Sequence, residues 1–385
     1  MKAETLPETL KGWLFDTALP FWADVGVDRE CGGFTERLNL TTAAPENPFK
    51  RMRVQARQIY VFSHAHLLGW NGPGLELAAR AVDFITKNGW TPGRGWARVL
   101  ARDGIIADGT LDLYDQAFVL YALGWFIKAS GDAGAANLAK ETLEAVREHL
   151  RHPSGRGYMH VRPPTEPWLQ NPHMHMLEAA ISLAQATNDA VYLEEGRDLA
   201  RLFRTTFYDR ATRTLAEYYD DHWNRMPGER GKITEPGHHF EWTWLLYAYR
   251  KLTGEDVLAE ARGLYDFAEQ YGVDRETGLS VDEVRDDGRV LSASVRTWPQ
   301  TEALKANLAQ MEFEGRDTRA RVQKISDNLF DVFLDQPVRG TWIDHFESDR
   351  RTPKVKIVPA STLYHVFLAF SEVIRLEPLF AGPRS

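Results

Sequence analysis

The feature that most constrains the fold of this chain is an internal repeat of about 60 residues. Apolar residues spaced by three and four predict about twelve helical segments in two alternating sets. The first set begins near Val54, Leu113, Asn171, Gly237, Arg296 and Ile357. In chain order, the predicted segments are 4–25, 54–70, 74–90, 113–131, 133–150, 171–187, 189–208, 237–252, 254–271, 296–313, 315–333 and 357–376.

Short glycine-containing segments recur between the helices in the same phase. They are CGGFTERLN from Cys31, GRGWARVLARDG from Gly93, SGRGYMHVR from Ser154, TRTLAEYYDDHWN from Thr212, ETGLSVDEVRDDG from Glu276 and VRGTWIDHFE from Val338. Asp103–Gly104 and Asp287–Gly288 are typical of hairpin turns. Each unit is therefore predicted as helix, hairpin, helix.

A helical pair cannot bury its apolar face alone, so neighbouring pairs must pack beside it. Six pairs of this length favour a closed (α/α)6 barrel over an open solenoid, whose ends would expose apolar surface. The hydrophobic content of 43% is sufficient for a large core. No Pro/Gly/Ser-rich linker divides the chain. We therefore expect an all-α fold, an (α/α)6 barrel with short β-hairpins in its loops, as one domain over residues 1–385.

Composition excludes several classes of protein. A formal charge of −8 argues against a nucleic-acid or anionic-membrane partner. No segment approaches the roughly 20 apolar residues that a membrane span needs, and the first residues, with Glu4, Glu8 and Lys11, do not resemble a signal peptide. The single cysteine, Cys31, cannot form an internal disulfide. These features predict a cytoplasmic protein, monomeric or homodimeric.

Polar and ionisable residues cluster near the start of every helix of the first set. The clusters are Arg53 with Arg57, Tyr114 with Asp115, His173 with His175 and Glu178, His238 with His239, Glu241 and Trp242, Arg296 with Trp298 and Glu302, and Tyr364 with His365. Residues at equivalent positions of the repeat lie at the same end of a toroid. The helix N-termini also direct their free N–H groups toward that end. The clusters are therefore expected to line one cavity, the candidate active site.

Each residue also has a structural interpretation. A single buried histidine is more often a hydrogen-bonded core residue than a catalyst, and Arg53 and Arg57 could pair with surface acids. A glutamate in a first turn stabilises its helix in any case. The shared phase favours function for the set as a whole. Seven other histidines are interpreted as structural: His64, His66, His149, His152, His160, His222 and His345.

Metal and nucleotide chemistry receive little support. His173 and His175, with the pair His238–His239, could supply imidazole ligands. However, residues two apart on a helix do not face one direction. The sequence contains no HExxH motif, no cysteine ligand set and no phosphate-binding glycine loop. Neither a metal nor another cofactor is therefore expected.

An ordered set of motifs resembles the N-acylglucosamine 2-epimerase family. The motifs are VQARQIYVFS, NPHMHMLEA, PGHHFEW, TWPQTEA and LYHVF, and they cover nearly the whole chain. That family also contains cellobiose 2-epimerases, mannose isomerases and sulfoquinovose-related aldose–ketose isomerases. The resemblance implies an (α/α)6 barrel and a small-molecule sugar as the partner.

By position, the resemblance implies that His238 and His365 transfer protons and that Arg57 binds the reacting oxygens. It implies a third active-site histidine at His175, which is linked to ring opening or to substrate hydroxyls. The other expected substrate-binding residues, including those assigned by phase alone, are Arg53, Tyr114, Asp115, Glu178, Glu241, Trp298 and Glu302.

One position departs from the family pattern. Many members have a tryptophan four residues before the matching arginine, and here that position is Arg53. A second cation at the rim could favour a phosphate or other anionic group on the substrate, or it could form a salt bridge. The form RMRVQARQIY is most similar to the branch of mannose and mannose-6-phosphate isomerases.

The favoured function is isomerisation of mannose, or a derivative such as mannose 6-phosphate, to the fructose form through a cis-enediolate. Histidine suits this step because its ordinary pKa lies near 6.5. The alternative is 2-epimerisation of an N-acylglucosamine or of a glucose/mannose pair. Glycoside hydrolysis, which would use two opposed carboxylates, and a non-catalytic scaffold are less favoured.

Overall fold

The computed structural model describes residues 4–380. The helices run in chain order through the following bounds. They are α1 Leu6–Trp13, α2 Leu19–Val25, α3 Met52–Leu67, α4 Gly74–Gly89, α5 Leu113–Ser130, α6 Ala133–His149, α7 Asn171–Thr187, α8 Ala190–Leu202, α9 Pro236–Thr253, α10 Leu258–Tyr271, α11 Thr297–Glu314, α12 Arg319–Asn328, α13 Thr362–Arg375 and α14 Glu377–Phe380.

The helices form two concentric rings. The inner ring consists of α3, α5, α7, α9, α11 and α13, each packed against its neighbours, with α13 returning to α3. Outer helices α4, α6, α8, α10 and α12 each pack on the inner helix before them, and α1 packs on α13. A π-helical turn, Leu14–Ala18, joins α1 to α2 as one outer segment. The fold is an (α/α)6 barrel, which confirms the predicted class.

Amphipathic character separates the rings. Inner helix α5 (LYDQAFVLYALGWFIKAS) buries side chains on every face, because it contacts both the outer layer and the barrel interior. Outer helix α6 buries only a stripe that includes Ala135, Ala139 and Leu143. Even so, no helix within residues 4–380 combines the length and apolar character that would carry it across a membrane.

Short strands of two or three residues lie between the helices. They are β1 Arg37–Asn39, β2 Pro45–Glu46, β3 Lys50–Arg51, β4 Trp90–Thr91, β5 Gly95–Trp96, β6 Val99–Leu100, β7 Ile106–Asp108, β8 Leu111–Asp112, β9 Val161–Arg162, β10 Trp168–Leu169, β11 Tyr208–Asp209, β12 Thr214–Leu215, β13 Tyr218–Tyr219, β14 Ile233–Thr234, β15 Glu283–Arg285, β16 Val290–Ser292, β17 Val295–Arg296, β18 His345–Phe346 and β19 Ile357–Pro359.

A short strand precedes each inner helix and pairs antiparallel with a strand that follows the partner outer helix. These pairs are β3 with β6, β8 with β9, β10 with β13, β14 with β15, β17 with β18, and β19 with β1. Hairpins β6–β7 and β15–β16 form around Asp103–Gly104 and Asp287–Gly288, as predicted. The ladders, however, connect segments on either side of a helical pair, because the main-chain groups before an inner helix find their partners there.

The two ends of the chain close the barrel. Strand β1 pairs with β19 over three residues, from Arg37 opposite Pro359 to Asn39 opposite Ile357. Trp22 stacks on Trp342 with ring centroids 5.0 Å apart. The predicted helix from Ile357 therefore begins only at Thr362, since residues 357–359 form the closing strand.

Within residues 4–380, five inner helices carry a clamp residue, a glutamine or histidine near the helix start that binds the main chain of the preceding glycine-containing segment. The clamp residues are Gln55 on Phe34, Gln116 on Trp96, His173 on Tyr158, His239 on Leu215 and Gln300 on Ser280. The glutamines bind both the N–H and the C=O group, whereas the histidines accept the N–H bond. The clamps thus fix the mouth segments to the inner ring.

His173 and His239 are therefore wall residues. Each accepts through Nε2, and burial lowers the pKa of His173 to about 3 and that of His239 to about 4, so both imidazoles are neutral. Their neighbours His175 and His238 face the barrel cavity instead. The four imidazoles consequently do not form one ligand set, since adjacent positions on a helix point in different directions.

Because other repeats use glutamine as the clamp, His173→Gln is expected to fold with near wild-type stability. His173→Ala leaves the buried N–H of Tyr158 unpaired and is expected to lose about 1–3 kcal/mol. Urea denaturation of both variants measures the difference. Equal losses in the two variants would show that the hydrogen bond is not what His173 contributes.

Candidate active site

A cavity of about 240 Å³ opens at the end of the barrel where the inner helices begin. All six inner helices contribute to it, either directly or through the segment before them. The lining residues are Arg57, Tyr114, Asn171, His175, Glu235, His238, Glu241, Arg296, Trp298, Asp344, Ser361, Thr362 and His365. The polar clusters predicted from the repeat phase therefore do converge on one hollow.

The helices position these side chains through their first two turns. In an α-helix the side chains lean toward the N-terminus, so residues near the start of an inner helix reach into the mouth. His175 and His238 lie five and three residues into α7 and α9, and His365 lies four residues into α13. Side chains at equivalent positions of the repeat therefore point toward the same cavity.

Each of the three cavity histidines is held at Nδ1 by a glutamate. We call these pairs the His–Glu dyads. Their N···O distances are nearly equal: His175–Glu178 3.0 Å, His238–Glu217 2.9 Å and His365–Glu302 2.9 Å. Anchoring at Nδ1 leaves Nε2 of each ring available for proton transfer.

Neighbouring charges make His238 a cation. Burial alone would lower its pKa, but the carboxylates of Glu217, Glu235 and Glu241 act in the opposite direction and raise the pKa to about 9. Glu235 directly precedes α9 as its N-cap, three residues before His238. His238 is therefore protonated at neutral pH and can act as an acid.

His365 has the opposite character. Burial lowers its pKa to about 4, and the cations Arg57 and Lys305 oppose its protonation further, although Glu302 favours it. The ring is therefore neutral at neutral pH and can accept a proton. Two histidines at one cavity with pKa values pushed apart are the arrangement expected of an acid and a base.

Arg57 is fixed by aromatic rings on the inner wall. Its guanidinium lies 4.2 Å from the centre of the Phe118 ring, and Nη2 donates to the hydroxyl of Tyr114 at 2.7 Å. Its Nε–H has no hydrogen-bond partner within residues 4–380. Arg57 also lines the cavity, where its planar guanidinium can bind substrate oxygens in a fork.

Trp298 forms the cavity wall near both His238 and His365. Its ring centre lies 5.0 Å from that of His238 and 5.8 Å from that of His365. Gly237 makes room for the indole, because a Cβ at that position would meet the ring at 2.5 Å. An indole face between two imidazoles suits the apolar face of a sugar.

Four of the seven predicted substrate-binding residues lie outside the cavity lining, namely Arg53, Asp115, Glu178 and Glu302. Arg53 Nη1 is 3.3 Å from Asp115 Oδ2, and the Arg53 main-chain N–H donates to the same carboxylate at 2.9 Å. Burial raises the pKa of Asp115 to about 7. The structure therefore places Arg53 in the salt-bridge alternative rather than as a free cation.

Glu178, Glu302 and Trp242 act behind the lining. Glu178 accepts the hydroxyl of Tyr364 at 2.7 Å as well as its dyad histidine. Glu302 is fully buried behind His365. Trp242 donates to Gln170 in the wall at 2.8 Å. These three residues hydrogen-bond to or pack behind neighbouring side chains and do not line the cavity.

Several residues at or behind the cavity were not predicted from the sequence. Among them are Asn171 and Lys305, and the carboxylates of Glu217, Glu235 and Asp344. Glu217 and Asp344 lie in connecting segments without helical periodicity, so no phase indicates their direction. Glu235 directly precedes α9, and only its position before the PGHHFEW segment could have pointed to it.

Three groups of side chains bring possible metal-ligand atoms within 4.8 Å of one another. They are His175, Glu178 and Glu241; Glu217, Glu235 and His238; and Glu241, Glu302 and His365. In each group a dyad hydrogen bond occupies the imidazole Nδ1. His–carboxylate pairing accounts for the short distances in these groups.

Glu217→Gln is expected to lower the pKa of His238 from about 9 by about one unit or more, because a neutral amide stabilises the imidazolium less than a carboxylate does. Titration of the histidine ring signals by NMR measures this change. The His365 signal, whose dyad is untouched, provides the internal control. An unchanged His238 titration would contradict the assigned pairing.

Comparison with known proteins identifies similar sequences and structures over most of the chain. The family model of N-acylglucosamine 2-epimerase (GlcNAc 2-epimerase) matches residues 32–369. Mannose-6-phosphate isomerase from Rhizobium meliloti (strain 1021) is 33% identical over 94% of this chain and 95% of its own length. Cellobiose 2-epimerase from Ruminococcus albus is 24% identical over 94% and 96% of the two chains. A crystal structure of D-mannose isomerase, 21% identical, covers 98% and 100% with a TM-score of 0.87 and so shares the fold.

Proposed function

This chain belongs to the N-acylglucosamine 2-epimerase family and is a sugar isomerase or epimerase, and within that class we propose that it interconverts D-mannose and its fructose form. The observation that carries proton transfer is the unequal pair of histidines beside one guanidinium. The choice of isomerisation rests on the 33% identity with the mannose-6-phosphate isomerase, against 24% with the cellobiose 2-epimerase.

The first step removes the proton from C2 of the open-chain aldose. Neutral His365 takes this proton at Nε2, and the C–H electron pair forms the C1=C2 double bond. His238, as imidazolium, gives its proton to O1 as negative charge develops there. Arg57 holds O1 and O2, so that a fixed positive charge faces the developing enediolate.

The second step restores both histidines. His365 returns its proton to C1, and the proton on O2 passes to His238 as the C2 carbonyl forms. The product is the ketose, and the enzyme again has a neutral His365 and a protonated His238. Since the acid and the base exchange roles, the same residues serve both directions of the reaction.

The alternative is 2-epimerisation, and the observation that favours it is that two imidazoles reach the same cavity. If they face opposite sides of C2, His238 could deliver its proton to the far face of that carbon. The label position in the product distinguishes the two outcomes, because isomerisation labels C1 whereas epimerisation labels C2.

The charges at the rim favour a neutral sugar over a sugar phosphate. Arg53 is paired with Asp115, and Arg296 lies 2.8 Å from Asp282 and 3.0 Å from Glu235. A phosphate would have to compete with these carboxylates for each rim cation. Within the described residues, this leaves Arg57, which the mechanism uses at the reacting oxygens.

The protein is incubated with D-mannose in D2O without added metal, and the products are followed by NMR. Fructose carrying deuterium at C1 is the expected product. Mannose 6-phosphate is expected to react no better, because no rim guanidinium is free for it. Deuterium at C2 of a recovered epimer of mannose or N-acetylmannosamine would instead establish the epimerase. Release of reducing sugar from glycosides without exchange would indicate hydrolysis.

The pH profile of kcat/KM is expected to be bell-shaped and broad. Activity requires neutral His365, so it is lost as the pH falls through about 4. It also requires protonated His238, so it is lost as the pH rises through about 9. Initial rates across this range test the assignment. An acid limb at the ordinary histidine pKa near 6.5 would refute the role given to His365.

A further inference from the structure

The dyads of His238 and His365 have equal hydrogen bonds but unequal surroundings. In the part of the chain that the structure describes, Glu217 accepts only neutral donors besides His238, from the Gln170 amide at 3.0 Å and the main-chain N–H of Glu235 at 3.2 Å. In the other dyad, the second oxygen of Glu302 lies 2.6 Å from the Nζ atom of Lys305. Hydrogen-bond geometry therefore does not explain why one histidine is charged and the other neutral.

Lys305 is enclosed by the inner ring. Both it and Glu302 are 0% exposed, and its ammonium lies 4.3 Å from the centre of the Trp244 ring. Burial would lower the pKa of Lys305, but Glu302, Glu241 and Glu178 raise it above its ordinary value. The side chain is thus a permanent cation behind the site, on α11 one turn deeper than Glu302.

Charged and titratable groups face His365 from every inner helix that packs around it. Glu302 and Lys305 come from α11 and Arg57 from α3, and the remaining elements contribute carboxylates, imidazoles and phenols. These others are Glu241 and His238 from α9, Glu178 and His175 from α7, Tyr114 from α5, Tyr364 from α13, and Asp344 from the segment before α13. Within this set, only Lys305 contacts the dyad carboxylate directly as a fixed cation.

We propose that Lys305 is a positioning residue for the reaction: its buried ammonium neutralises Glu302, so that His365 stays without a proton and serves as the base. Glu217 has no such cation, so it keeps His238 in the imidazolium form. The proposal rests on the proposed function, since it concerns the same site. Lys305 does not line the cavity, so it acts through Glu302.

Removing the ammonium should allow the dyad to bind a proton more readily. Glu302 would then carry an uncompensated buried charge, which is costly. The pair would relieve it by binding a proton on the His365 imidazole at a higher pH than in the wild type. The base is then lost over a range in which the wild-type enzyme is active.

The test compares Lys305→Met and Lys305→Arg with the wild type by the pH profile of mannose–fructose exchange. In Lys305→Met the acid limb of kcat/KM is expected to move upward by about one pH unit or more, whereas Lys305→Arg, which keeps the charge, should retain the wild-type limb. A purely structural lysine would lower the rate equally at all pH values, and an unshifted limb would overturn the proposal.

Lys128→Met is the matched control. Lys128 also lies over an indole, 4.4 Å from the centre of the Trp125 ring, but its ammonium donates to the neutral Gln185 amide at 2.9 Å. It lies at the other end of the barrel, in the last turns of α5. Its loss should leave the acid limb in place, and a shift equal to that of Lys305→Met would contradict a specific effect on the Glu302 dyad.

A second variant keeps the proposal testable if Lys305→Met does not fold. Lys305→Met combined with Glu302→Gln removes both buried charges, so it should fold and its His365 ring should titrate without the upward shift. NMR titration of His365 needs no turnover and so separates the two hypotheses. Absence of exchange in the wild type would reject the isomerase alone, whereas an unshifted His365 titration in folded Lys305→Met would reject the role of Lys305 alone.

Discussion

Closure of the inner ring is the constraint on which the rest of this structure depends. Strand β1 pairs with β19, and Trp22 stacks on Trp342, so the first outer segment docks against the last repeat. Closure removes the exposed apolar ends that an open array would have. It also brings the starts of six inner helices to one rim, where their side chains lean inward. The cavity is therefore a consequence of closing the ring of inner helices.

Burial at that rim makes electrostatics the deciding interaction. A carboxylate or imidazole out of water carries a large penalty for charge unless a partner compensates it. The three His–Glu dyads meet this requirement with similar hydrogen bonds, yet the charges behind them differ. His238 lies among carboxylates, whereas His365 shares its glutamate with Lys305. Chemical asymmetry in the site thus arises from groups that do not line the cavity.

Some residues of the site could be predicted and others could not. Helical phase placed His175, His238, His365 and Arg57 at one end, and the structure brings them to one cavity. Phase did not separate cavity histidines from clamp histidines, because His238 and His239 are adjacent in sequence and differ only in the side of the helix they occupy. It also gave no indication of Glu217, which lies in a connecting segment.

The sequence by itself determined the repeat, the alternation of buried and amphipathic helices and the end of the barrel at which polar residues gather. These follow from local spacing, since 3.6 residues per turn fixes a direction for each side chain. Only the tertiary structure decided which partners meet. Glu302 and His365 are 63 residues apart in the chain, and Arg53 and Asp115 are 62 apart. A protonation state or a salt bridge depends on such distant neighbours, because Coulomb and desolvation energies are set by separation in space and by exclusion of water.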